Sequence, residues 1–168
     1  PWDALSGHEE LRELYLANWT QPTAAADLAV LAHLPLLRSL ELACTMEGSL
    51  VEALPPLPQL NELRLKPSPD PLTAEELPVL IKKTPRLKEV LLDRCVLPDE
   101  AFAAIAGWKE LQLLVLGGDA TSISPVKAQV LAAMTDLNQL MFYGCKPDAF
   151  DPQSMAKLKS VTRVQFSY

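Results

Sequence analysis

The chain has 168 residues, 49% of them hydrophobic and 21% charged, a length and balance that fit one domain able to bury a core. Its formal net charge of −6 argues against nucleic acid or an anionic membrane surface as partner, since those are met by clustered Lys and Arg. No apolar run reaches the ~18 to 20 residues that cross a bilayer, and the N-terminus lacks a charged-then-apolar secretory pattern, so a cytoplasmic setting is expected.

Along the chain one pattern returns: LRELYLANW from Leu11, LRSLELACT from Leu37, LNELRLKPS from Leu60, LKEVLLDRC from Leu87, LQLLVLGGD from Leu111, LNQLMFYGC from Leu137 and VTRVQFSY from Val161. Each reads apolar-x-x-apolar-x-apolar, and the starts are separated by 26, 23, 27, 24, 26 and 24 residues. The last two apolar positions, such as Leu14 and Leu16 or Leu63 and Leu65, alternate as in a half-buried strand. This predicts parallel strands over 13–16, 39–42, 62–65, 89–92, 113–116, 139–142 and 163–166. Helix starts are signalled by Thr73 with Glu76, a capping box, by Asp99 before Glu100, by Ser124 before Pro125 and by Asp151 before Pro152. Leu28, Leu31 and Leu34, and likewise Phe102, Ile105 and Trp108, have the spacing of a helix face turned in beneath the strands. In the second repeat Pro55, Pro56 and Pro58 leave room for one or two helical turns after Gly48.

Over essentially the whole chain this pattern resembles the leucine-rich-repeat family, in its helix-containing form with repeats of about 25 residues. The unit LKEVLLDRCVLPDEAFAAIAGWKELQLLVL looks especially like the cysteine-containing subclass found in ubiquitin-ligase substrate receptors and in many bacterial proteins. The resemblance implies an α/β leucine-rich-repeat solenoid, a right-handed horseshoe arc with a parallel β-sheet on the concave face and short helices on the convex face. Residues 1–168 then form a single domain of about seven repeats. The family's ninth position holds Asn or Cys; here it is Trp19, Thr45, Ser68, Cys95, Asp119 and Cys145, so looser turns are expected early in the chain. The opening WDALSGHEELRELYL aligns without gaps on FAAIAGWKELQLLVL, placing Gly7 on Gly107. The chain therefore reads as starting inside a repeat, a fragment of something larger; a small helical cap built from Trp2 and Leu5 is the alternative.

No catalytic constellation is visible. His8 and His33 have no nucleophile or carboxylate at a triad spacing. Gly117 and Gly118 lack the Lys and Ser or Thr of a phosphate loop, and read as the exit from a strand. Cys44, Cys95 and Cys145 lack the Cys-x-x-Cys spacing of a zinc site. Standing two strands apart, roughly 10 Å, these cysteines exceed the ~7 Å limit for a disulfide. The expectation is a protein that is not an enzyme in its own right and needs no metal or cofactor.

Strand alternation makes the third, fifth and seventh repeat positions point away from the core. The third-position column is Glu13, Ser39, Glu62, Glu89, Leu113, Gln139 and Arg163; the fifth is Tyr15, Glu41, Arg64, Leu91, Val115, Met141 and Gln165. The seventh is Ala17, Ala43, Lys66, Asp93, Gly117, Tyr143 and Ser167. Repeats one to four carry charges of both signs, as a solvated sheet does. From the fourth repeat onward Leu91, Leu113, Val115, Met141 and Tyr143 stand together on the solvent side, an apolar patch of the kind that marks an interaction site. With Arg64, Asp93 and Arg94 nearby, these are the expected partner-binding residues. The leading expectation is a protein-protein interaction module, the partner being another protein or a neighbouring domain of the same chain. The alternative is the substrate-recognition domain of a larger enzyme, a ubiquitin-ligase subunit or bacterial effector, with its catalytic domain elsewhere. Extracellular ligand recognition, for which Asn18 in Asn-Trp-Thr would be an acceptor site, is disfavoured by the lack of paired cysteines.

Overall fold

A computed structural model describes residues 2–46, 48–66, 72–93, 97–118, 123–144 and 152–167. Among them seven strands form one sheet: β1 (Glu13–Thr23), β2 (Ser39–Met46), β3 (Glu62–Leu65), β4 (Glu89–Leu92), β5 (Leu113–Gly117), β6 (Gln139–Tyr143) and β7 (Arg163–Ser167). Every strand starts at the residue that the repeat predicts. The order is β1-β2-β3-β4-β5-β6-β7, and all neighbours pair in parallel. Parallel neighbours require a crossover, and each crossover here carries a short helix: α1 (Ala25–Leu28), α2 (Leu50–Ala53), α3 (Glu76–Lys83), α4 (Asp99–Phe102), α5 (Pro125–Ala132) and α6 (Pro152–Met155). The single turn of α2 is what the prolines permit. The chain is thus an α/β fold of side-by-side strand-and-helix units. No described helix is long and apolar enough to cross a membrane.

Two apolar columns run across the inner face of the sheet. Leu40, Leu63, Val90, Leu114 and Leu140 form one, and Leu42, Leu65, Leu92, Leu116 and Phe142 the other, each residue 1% exposed or less. Phe166 stacks on Phe142 with ring centroids 5.3 Å apart, whereas Val164, at the edge strand, is 38% exposed. The helices supply Leu28, Leu77, Leu80, Phe102 and Leu131, and the 3-10 turns Ala29–His33 and Ala103–Gly107 supply Leu31 and Ile105, all buried. At about 1.5 to 3 kcal/mol per buried large apolar side chain, these columns are the main force that holds the units in register.

Each unit returns to the sheet through the same tight turn. Its hydrogen bonds run from Leu37 N–H to Leu34 O, Leu60 to Leu57, Leu111 to Trp108, Leu137 to Met134 and Val161 to Leu158, at 3.1 to 3.3 Å. Pro35 and Pro58 occupy the second turn position, where their fixed φ is already correct. In the fourth unit the apolar residue opening this turn is replaced by Thr84, which is fully buried. Its hydroxyl donates to Leu80 O at 2.7 Å and accepts from the indole N–H of Trp108 at 3.3 Å.

Polar staples join the helices of neighbouring units. Lys83 Nζ donates to Val51 O, Glu52 O and Leu54 O at 2.9, 2.8 and 2.5 Å, capping the C-terminal carbonyls of α2 from α3. Partial burial lowers the Lys83 pKa, and Glu52 only partly opposes this. Ser124, the N-cap of α5, donates to Asp99 Oδ1 of α4 at 2.8 Å. Ser49, the N-cap of α2, donates to Glu76 of α3. The reciprocal bonds of the expected Thr73–Glu76 pair are present, Thr73 N–H to Glu76 Oε2 at 2.8 Å and Glu76 N–H to Thr73 Oγ1 at 3.4 Å, but they close the turn before α3, whose N-cap is Glu75.

Two expectations change. Instead of loose early turns, β1 and β2 run on to Thr23 and Met46, since Trp19, Thr20 and Thr23 are strand formers and no glycine interrupts them. The register shifts after Leu16, so Trp19 pairs with Cys44 and Ala17 drops out of the seventh-position column. Trp2–Leu5 forms a 3-10 turn in which Trp2, aligned with buried Phe102, is itself only 6% exposed. Ser68, Arg94, Cys95, Asp119, Cys145 and Asp151 lie outside the described residues.

Replacing Thr84 with Val keeps the shape but leaves the Trp108 indole N–H buried and unpaired, so a loss of about 1 to 3 kcal/mol is expected in urea unfolding. Burial favours a neutral Glu76, but hydrogen bonds from Ser49 and Thr73 outweigh it and hold its pKa below the ordinary 4.5. A depressed carboxylate contributes stability above its unfolded pKa and loses it as pH falls through the folded value. Stability measured between pH 6 and below about 4.5 should therefore fall more steeply in the wild type than in Glu76→Gln; equal slopes would remove Glu76 from the staple.

Candidate functional site

The sheet face opposite the helices is built by the predicted register. Glu13, Ser39, Glu62, Glu89, Leu113, Gln139 and Arg163 align as one row, and Tyr15, Glu41, Arg64, Leu91, Val115, Met141 and Gln165 as the next. Beyond them Gly117, Tyr143 and Ser167 continue the third row.

Over β1 to β3 this face is a connected polar network. Tyr15 Oη donates to Glu13 Oε2 at 3.2 Å and lies 3.1 Å from Ser39 Oγ, which donates to Glu62 Oε2 at 2.8 Å. Arg64 binds Glu62 at 2.6 Å and approaches Glu41 at 3.9 Å, while Lys66 Nζ donates to Glu41 Oε1 at 2.9 Å. From sequence alone this half is expected to be an open charged surface. Ser39 and Glu41 are instead buried, 6% and 8% exposed: Ser39 is bracketed by Tyr15 and Glu62, and Glu41 by the long side chains of Arg64 and Lys66. Burial works against the Arg64 charge, but Glu62, by charge and hydrogen bond, and Glu41 outweigh it, so the guanidinium pKa is raised.

Over β4 to β6 the fifth-position row turns apolar and Leu113 joins it, while Glu89 and Gln139 keep the strand starts polar. An open depression of about 240 Å³ is lined by Leu91, Leu113, Val115, Met141 and Tyr143, with Glu62, Arg64 and Glu89 along its border. Six of the eight predicted site residues therefore meet at one place. Leu91, Leu113 and Met141 are partly buried and Tyr143 is 41% exposed. Val115 differs from expectation, being only 5% exposed. It stands on the central strand with Leu91 and Met141 in register on either side, and at about 4.8 Å between strands these larger side chains cover it. Val115 is thus the floor of the depression.

Asp93 is absent from this lining. It follows β4, its N–H bonded to Leu65 O at 3.0 Å, and its carboxylate fills the space that a Cβ on Gly117 would need. A residue larger than glycine at 117 would displace it. Arg94 lies outside the described residues. Glu62 and Glu89, which do line the depression, were missed. Their signal was their place in the third-position column beside Leu113, and it was read as solubilising charge. Among the described residues no group of three or more His, Cys, Asp or Glu is placed to hold a metal ion. His33 ends a 3-10 turn and His8 lies in the turn before β1, both exposed and remote from the depression in the fold.

Compared with known proteins, the sequence matches no family model and no curated protein.

The floor and the walls should respond differently to charge. Val115→Glu places a carboxylate at a nearly buried position among Leu91, Leu113 and Met141 and should destabilise by more than about 2 kcal/mol. Tyr143→Glu, on an exposed wall, should shift stability by about 0.5 kcal/mol or less. Paired urea titrations would show this, and a Val115→Glu variant as stable as wild type would contradict the buried floor.

Proposed function

We propose that the chain is a repeat solenoid serving as a binding module, one strand and one short helix per unit, with the sheet lining a concave surface. Within that class the reading is a leucine-rich-repeat module that holds a partner protein on the strand face. The seven apolar-x-x-apolar-x-apolar segments and the in-register parallel sheet support the family reading. The observation that carries the function is the apolar depression on β4 to β6. The same repeat supplies Ser39, Glu41, Glu62 and Arg64 at equivalent positions on β2 and β3, so the fold does not require Leu91, Leu113 and Met141 to be apolar. Apolar walls around a buried floor, with a polar network at one side, are the arrangement of an interface anchor with an orienting rim.

The test places a photoactivatable phenylalanine analogue at Tyr143 of the full-length protein in its native cells, with the same probe at Glu13 as control. Crosslinks to a second protein from position 143 and none from 13 are expected. Crosslinks confined to another segment of the same polypeptide would replace a separate partner with a docked domain. No crosslink from 143 would overturn the reading.

A further inference from the structure

The border of the depression says what kind of partner suits it, an inference that rests on the depression being the binding site. The floor and walls are apolar, so they select for a hydrophobic side chain and for little else. The border towards β3 is charged. Arg64 is held by Glu62 at 2.6 Å and faces Glu41 at 3.9 Å, and Glu62 also accepts from Ser39 at 2.8 Å. Lys66 is held by Glu41 at 2.9 Å. Glu89 is different: it lines the depression, its side chain is exposed, and no described residue pairs with it. Among the described residues of β2 to β4 the outer face holds Glu41 and Glu62 against Arg64, with Lys66 following β3 and pairing with Glu41, and Glu89 standing apart from them. A partner group arriving beside Glu89 therefore meets an exposed carboxylate that no described side chain neutralises, which favours Lys or Arg and rejects Asp or Glu.

The spacing adds a constraint. Val115 and Glu89 are one strand and one two-residue step apart, since Val115 pairs with Leu91 and Leu113 with Glu89. That separation is roughly 8 Å, close to the roughly 6.6 Å between same-side residues i and i+2 of an extended peptide. We propose that the depression takes an extended segment of a partner protein bearing a large apolar side chain with a Lys or Arg two residues away. The apolar group lies on Val115 between Leu113 and Met141, and the cation pairs with Glu89.

The probe is a library of random linear peptides displayed on phage and selected against the intact chain. Enriched peptides are then synthesised and their affinities measured for wild type, Met141→Glu, Glu89→Lys and Glu13→Lys. Enrichment of an aliphatic or aromatic residue with Lys or Arg at two residues' distance is expected. Binding should be lost in Met141→Glu, weakened about five- to tenfold in Glu89→Lys and unchanged in Glu13→Lys. A peptide with its cation changed to Glu should regain affinity for Glu89→Lys. Peptides that need Met141 but show no basic preference, or that bind Glu89→Lys as well as wild type, would overturn the cation pairing while leaving the binding site in place. If no enriched peptide depends on Met141, both the pairing and the site fail.

Discussion

The interaction on which the rest of the molecule depends is the burial of two apolar columns, Leu40 to Leu140 and Leu42 to Phe142, beneath seven parallel strands. Strand side chains alternate strictly, so fixing those residues inward fixes every intervening residue outward. A slip of one position would bury Arg64 and Lys66 and expose the leucines. The strand-facing surface is therefore set by the core, and its chemistry is free to vary only within positions the core has already assigned.

That surface has two solutions to the same geometry. On β1 to β3 the outward residues are polar and satisfy one another, down to the buried Glu41 beneath Lys66 and Arg64. On β4 to β6 most of them are apolar, Glu89 and Gln139 excepted, and they leave a depression whose floor, Val115, is nearly buried while Tyr143 remains exposed. The polar network restrains Arg64 at the boundary, so the edge of the depression is held in place instead of being free to fold over it. Under the proposed binding function, such pre-positioning would reduce the ordering entropy of complex formation.

Most of the architecture was legible because hydrophobic spacing carries it. The position of each strand start follows from the apolar-x-x-apolar-x-apolar unit, while Thr73–Glu76 marked the turn into α3 and Ser124–Pro125 the start of α5. What was not legible depended on side-chain length and on contacts between units. The strand pattern assigns Val115 to the outer face but cannot show that Leu91 and Met141 cover it. Nor can it show that Lys83 reaches α2, or that Thr84 serves Trp108, since those partners lie 24 to 32 residues away in sequence. The run-on of β1 past Leu16 escaped because the repeat supplies no turn signal there, and Trp19 and Thr20 favour continued pairing. Glu62 and Glu89 were visible as charges; their role at the depression needed the adjacency of three strands.

The most direct measurement is a solution NMR experiment on the register, reading close backbone contacts between neighbouring strands of β4, β5 and β6. Parallel contacts that place Val115 between Leu91 and Met141, and Leu113 between Glu89 and Gln139, are the predicted result. Contacts shifted by one residue would put residues of opposite faces beside one another and contradict the outward placement of Leu113, Val115 and Met141, and an antiparallel pattern would contradict the fold.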